Sequence, residues 1–292
     1  MPAFDPQEHI GRQTFVRDVI DIRPAEKLAA ALDLEAIPGG GAVLPALWHW
    51  MFFNAVERRQ NLGRDGHPKP GGFLPDTGLP RRMWAGGRLQ FNAPLPFGQT
   101  AWRLSTIKDV SLKQGNSGRL CFVTLRHEIT LSQPQYEAGR WQLAAPAAII
   151  EDQDIVYRED PAPDAPKPLP PEAPQGAVIS ETVTPDATLL FRYSALTFNG
   201  HRIHYDQAYA REVEGYDGLV FHGPLTATLL AALAERQHPE QRLRAFTFRG
   251  LSPLLHDRAF TIHAKPGDAN AVALWAANPE GRLAMQAEAV LR

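Results

Sequence analysis

The chain has 292 residues, 44% of them hydrophobic and 21% charged, with 30 Lys+Arg against 32 Asp+Glu and a formal net charge of −2. That length suits one large domain or two ordinary ones, and the balanced charge argues against a general nucleic-acid or polybasic membrane binder. One cysteine, Cys121, excludes an intramolecular disulfide framework and a thiolate-rich zinc site. No apolar run approaches the roughly 18 residues of a membrane-spanning helix, and the N-terminus carries no signal-peptide pattern; a cytoplasmic protein is expected.

In chain order, an extended stretch over residues 14–22 leads to Pro24 and a helical run over 25–32. Pro45 then opens a second expected helix over 46–53, rich in Trp48, Trp50, Phe52 and Phe53. Strands are expected over 88–97, 101–107 and 118–131. Seven prolines fall between Asp160 and Gly176 with Leu169 as the one large apolar residue, the pattern of an extended connector. The pattern then repeats. An extended stretch over 177–183 leads to a helix over 187–196, with Thr184 the expected N-cap before Pro185. A helix over 225–233 follows Pro224, apolar nearly all round, and strands follow over 244–255, 259–264, 271–277 and 283–291. Phe260, Ile262 and Ala264 alternate with Thr261, His263 and Lys265, the period of a half-buried strand.

Each half therefore reads as strand, helix, long helix and antiparallel strands. This is an α+β fold in which a long helix lies across a curled sheet, two such hot dogs in one chain. The expected division is 1–158, a proline-rich linker over 159–176, and 177–292. The halves are unequal: 21 residues separate Pro24 from Pro45, but 39 separate Pro185 from Pro224. The insertion holds Tyr193, Asn199, His201, His204 and Asp206, followed by His222-Gly223-Pro224. Polar groups so concentrated beside a buried helix must be partnered or must meet a ligand.

This segment resembles the MaoC-like, or R-specific enoyl-CoA hydratase, family. The family motif places an Asp five residues before a His, with His-Gly following before the central helix. His204 matches the motif His, Ile203 its aliphatic neighbour and His222-Gly223 the His-Gly pair; Asn199 stands where the Asp belongs. Leu62 to Pro68, Gly71 to Pro75 and Leu79 to Gly87 look like a subgroup whose first hot dog is degenerate, similar to mesaconyl-C4-CoA and itaconyl-CoA hydratases. The resemblance implies hydration of an enoyl-CoA or dehydration of a 3-hydroxyacyl-CoA, with coenzyme A entering only as part of the substrate.

The chemistry needs a base for water, a donor for the enolate oxygen and a proton for the α-carbon. An imidazole exchanges protons near neutrality, so His204 is the expected acid/base group. Asn199 is no base but its amide can orient water, and Asp206 is a candidate to tune His204. Gly223, expected at the helix N-cap, offers a backbone N–H to the thioester oxygen. Tyr193, His201, Asp206 and His222 are candidate substrate contacts, and Arg81 and Arg82 candidate partners of the CoA phosphates or adenine. His67 is expected in a loop over the interface between halves. His201, His204 and Asp206 also read as a two-His, one-carboxylate set, but the family uses no metal, and no metal or separate cofactor is expected. A thioesterase, or an acyl-thioester-binding protein inactivated at Asn199, is the alternative; one chain or a homodimer is the working unit.

Overall fold

The computed structural model describes residues 4–115, 118–160, 169–268 and 270–292. The first half begins with β1 (Gln13–Val19) and α1 (Ile22–Ala31), followed by β2 (Arg81–Phe91), β3 (Thr100–Gly115) and β4 (Gly118–Thr130). A small hairpin, β5 (Gln135–Glu137) and β6 (Arg140–Gln142), precedes β7 (Ile149–Arg158). The second half holds β8 (Ile179–Val183), α2 (Ala187–Leu196), α3 (Gln207–Glu212) and α4 (Gly223–Arg236). It ends with β9 (Leu243–Gly250), β10 (Phe260–Pro266), β11 (Ala271–Ala277) and β12 (Leu283–Leu291).

Ten strands form one antiparallel sheet in the order β1-β3-β4-β7-β2-β9-β12-β11-β10-β8. Read inward from either edge, the strands of each half occur in the same relative order, so the repeat of the sequence is a repeat of topology. The halves join where β2 pairs with β9, Gly87 opposite Phe248 and Leu89 opposite Phe246. That join needs Gly86, because a Cβ there would run into the Phe248 carbonyl. In the second half α4 packs across β9 to β12. Leu225, Leu230 and Leu233 meet Phe246, Phe260, Ile262 and Leu274 in one buried cluster, which supplies the main apolar driving force.

Three local expectations are corrected. The helix after Pro45 is a single 3-10 turn, Trp48–Met51. Glu151 accepts hydrogen bonds from the Trp50 indole at 3.1 Å and lies 3.1 Å from His49 Nε2, while Asp18 accepts from the Phe53 backbone N–H at 2.8 Å. These side-chain anchors pull the chain out of the helical path, and Leu47 and Phe53 take positive φ on either side. The cap of α2 is Asp186, whose carboxylate accepts from the Leu189 N–H at 2.7 Å, not Thr184; only the residue next to the helix reaches that donor. His222, not Gly223, is the N-cap of α4, and Gly223 is its first helical residue. Strand β7 has no counterpart among the expected strands. Its Glu151 and Asp152 are buried, Asp152 against Arg126 and Lys108, so acidic residues interrupt an apolar pattern that partners make tolerable. Of the connector, 161–168 lie outside the described residues. Among the described residues no helix is long and apolar enough to cross a membrane.

Candidate active site

The site is built on the loop between α2 and α3. Asn199 Oδ1 accepts from the His201 N–H at 3.0 Å, bending the chain into a 3-10 turn over Arg202–His204. His204 is then fixed by its Nδ1, 2.7 Å from the Val220 carbonyl. A carbonyl only accepts, so Nδ1 carries the ring proton and Nε2 keeps its lone pair. His222 stacks on His204 with ring centroids 3.7 Å apart, and its Nε2 lies 2.9 Å from Ser194 Oγ on α2. Gly223 follows at once, and an atom built at its Cβ position would meet only the Met285 methyl at 4.0 Å, so the backbone there is open to an approaching group. As the first residue of α4 its N–H has no intrahelical acceptor and lies at the positive end of the helix dipole.

The first half reaches into this site. In the turn from Leu62 to Pro68, Asp65 accepts the His67 backbone N–H on Oδ1 at 3.0 Å and lies 2.9 Å from His67 Nδ1 through Oδ2. The turn is docked on the second half: the Arg202 N–H donates to the Asp65 carbonyl at 2.9 Å, and the Arg202 guanidinium to the Arg64 carbonyl at 3.1 Å. His67 then lies against His201 with ring centroids 4.4 Å apart, and His201 meets His204 edge-on at 5.5 Å. Four imidazoles, His67, His201, His204 and His222, thus form a row across the boundary between the halves. His67 was legible as an interface residue; its partnership with Asp65 was not, although Asp-Gly-His in a tight turn is the available signal.

Burial keeps the row uncharged. It holds His204 down to about 4, against the opposing Val220 hydrogen bond, and pushes His222 well below the usual imidazole value. His201 is lowered by burial and then by His67, and His67 by burial and then by Arg82, with Asp65 opposing both. Burial is the largest single influence and works to raise Asp65, but the hydrogen bonds and charge of His67, with Arg82, together outweigh it and hold the carboxyl below its ordinary range. Asp65, His67 and His201 each bring one donor atom within 4.8 Å of the others. Because both Asp65 oxygens serve His67, and Arg82 adds positive charge beside all three, the chemistry of this set favours hydrogen bonding over a cation.

Other expected site residues fall elsewhere. Arg81 is buried, its Nε 2.7 Å from Glu214 Oε2, and cannot reach a phosphate; by contrast its half-buried neighbour Arg82, on the opposite side of the strand by alternation, stays with the row, its charge beside Asp65, His67 and His201. Asp206 does not touch His204: it pairs with Arg202 at 2.7 Å and caps α3. Tyr193 is buried behind His222, edge to face at 4.9 Å. A surface recess of about 540 Å³ is lined by His263 and Trp275 on the face of β10 and β11 turned away from α4, apart from the imidazole row.

Replacing Gly66 tests the docking. Its φ is +87°, and a Cβ would strike the Gly200 carbonyl. Gly66→Ala is expected to cost about 1–2 kcal/mol from backbone strain, measured by thermal melting, and to lower turnover at least tenfold by displacing His67 from His201, whereas Gly72→Ala, with open space around it, changes neither.

Residues 47–256 match the profile of the family described as hydroxyacyl-thioester dehydratase type 2. The chain is 44% identical over 291 residues to mesaconyl-C(4)-CoA hydratase of Chloroflexus aurantiacus, covering 98% of each chain. The chain belongs to the hydroxyacyl-thioester dehydratase type 2 family. A second family relative, the mitochondrial hydroxyacyl-thioester dehydratase type 2 of Schizosaccharomyces pombe, is 28% identical over 85% of this chain and 88% of its own. Solved structures share the fold: a MaoC-like dehydratase has a TM-score of 0.70 at 13% identity, over 98% of this chain and 99% of its own. A MaoC-like dehydratase from Phytophthora capsici reaches 0.68 at 13% identity, over 99% and 98%. Membership makes the chain a hydratase or dehydratase of acyl thioesters, and the fold shared with the solved MaoC-like dehydratases is the double hot dog.

Proposed function

We propose that this family member adds water to, or eliminates it to form, the double bond of a short enoyl-CoA, with a dicarboxylic acyl group as in mesaconyl-CoA the best fit. The similarity to mesaconyl-C(4)-CoA hydratase supports the acyl group. For the residues, the carrying observation is His204, its Nδ1–H on Val220 and its ring on His222, next to the open backbone of Gly223. In hydration, His204 Nε2 takes a proton from water as the water oxygen bonds to the β-carbon. The double-bond electrons move to the thioester oxygen, where the Gly223 N–H stabilises them. The proton then passes from Nε2 to the α-carbon, so one imidazole serves both transfers. Asn199, its Oδ1 held by the His201 N–H, has its amide N–H left to orient water. Removing one oxyanion donor typically costs roughly 3–4 kcal/mol of barrier, which sets the weight of Gly223 in this scheme.

Purified protein given crotonyl-, mesaconyl- and itaconyl-CoA should consume enoyl absorbance without releasing free thiol. Thiol release would mark a thioesterase, and binding without either change an inactive acyl-thioester binder.

The pH dependence follows from the neutral imidazole. The acid limb of kcat/KM is expected near pH 4, where His204 titrates, rather than near the ordinary imidazole value of about 6.5. Stability moves the same way. Between about 6.5 and 4 the unfolded chain binds protons on His201, His204 and His222 that the folded chain refuses, so thermal stability falls as pH drops through that window.

A further inference from the structure

The motif carboxylate is missing at position 199, yet the transfer through His204 creates a transient imidazolium in a buried row. Some anion must lie near that charge for it to form readily. Asp206 is engaged by Arg202 and by the cap of α3, and Glu214 by Arg81. Asp65 is different. One of its oxygens, a His67 nitrogen and a His201 nitrogen lie within 4.8 Å of one another, and His201 touches His204.

We propose that Asp65, carried on the Leu62–Pro68 turn of the first half and acting through His67, is the counter-ion of the imidazole row and takes over the role of the carboxylate absent at position 199. It is a positioning residue, two imidazoles removed from His204, with His67 and His201 between them. The degenerate half then does more than wall the site: it contributes the negative charge against which the second half's imidazole becomes protonated. The docking contacts explain why the charge stays in place, since the Asp65 carbonyl receives the Arg202 N–H and Gly66 packs on Gly200. The groups facing the row are Asp65, His67 and Arg82 from the first half and His201, His204, His222 and the Val220 carbonyl from the second. Asp65 is the one carboxylate among them, and Arg82 opposes it.

The inference rests on the hydro-lyase reading, and the experiment separates the two. Asp65→Asn keeps a side-chain oxygen for the His67 N–H, so the turn retains its shape. Loss of the charge is expected to lower kcat by on the order of ten- to a hundredfold with KM little changed, given how strongly a charge acts at such range in a buried site. The acid limb of the pH profile should move to lower pH, because an imidazolium without its anion forms less readily. The deciding variant is Asp65→Asn combined with Asn199→Asp, which returns a carboxylate to the motif position. Recovery of most of the lost kcat supports the inference, and a merely structural role of Asp65 would give none. A double variant as slow as Asp65→Asn, or a single variant within twofold of the wild type, overturns it. Should Asp65→Asn melt early, kcat of the folded fraction at low temperature gives the same comparison. A wild-type chain that consumes no enoyl thioester overturns the hydro-lyase reading itself, and this inference with it.

Discussion

Replacing His204 with alanine is expected to lower kcat by roughly 10²–10⁴, the usual contribution of a positioned acid–base group, while leaving KM for the thioester within a few fold. The imidazole is buried at 7% exposure, so its removal also opens a small cavity beside His222 and leaves the Val220 carbonyl without its donor. A stability loss of about 1–3 kcal/mol is expected from that unpaired carbonyl. His204→Asn separates the two effects, since its amide N–H can still reach the Val220 carbonyl but nothing in it takes a proton. That variant should melt close to the wild type and turn over as slowly as His204→Ala. Activity retained in both variants would remove His204 from the chemistry. His222→Phe makes a useful contrast. It keeps a ring against His204 but gives up the Ser194 contact, so a smaller fall in kcat is expected.

The second large effect is on stability. Arg81 on β2 and Glu214 in the segment before α4 form a buried ion pair across the two halves, with side chains 4% and 5% exposed. Tyr209 OH donates to the other Glu214 oxygen at 3.1 Å, and the Arg81 guanidinium lies over the Tyr216 ring at 5.6 Å. Glu214→Ala strips the charge from one partner and leaves a guanidinium in a low-dielectric setting, expected to cost about 3–5 kcal/mol. For a chain of this size that is a fall in Tm of roughly 10 °C, read by differential scanning calorimetry. Replacing both residues by apolar ones of similar volume should recover most of the loss, because the penalty belongs to the unpaired charge and not to the absence of the pair. If Arg81 instead gripped a CoA phosphate, Arg81→Ala would raise KM; the buried geometry predicts an unchanged KM in the folded fraction.

What was legible in the sequence and what was not divides along a physical line. Helices α2 and α4 and strands β9 to β12 follow from local signals: a proline at a helix start, a polar residue next to it, apolar periods of two or four. The repeat was legible too, because each half carries the same punctuation. The helix expected after Pro45 failed because Asp18 and Glu151, distant in sequence, capture backbone and indole N–H groups that a helix would have needed or excluded. Strand β7 was hidden for the converse reason: its acidic residues are tolerable in a buried sheet only because His49, Lys108 and Arg126 come to them from other strands and loops.

The site shows the same division. By itself the sequence determined that His204, His222 and Gly223 would lie around the start of one buried helix, since their spacing is short and a single turn and helix connect them. Only the tertiary structure decided that Arg81 would be consumed by Glu214, that Asp206 would serve a helix cap, and that Asp65 and His67, 136 and 134 residues before His201 in the chain, would stand beside it. A charged group's role depends on which opposite charge or donor reaches it first, and that is a property of distance in space, to which distance along the chain gives no guide.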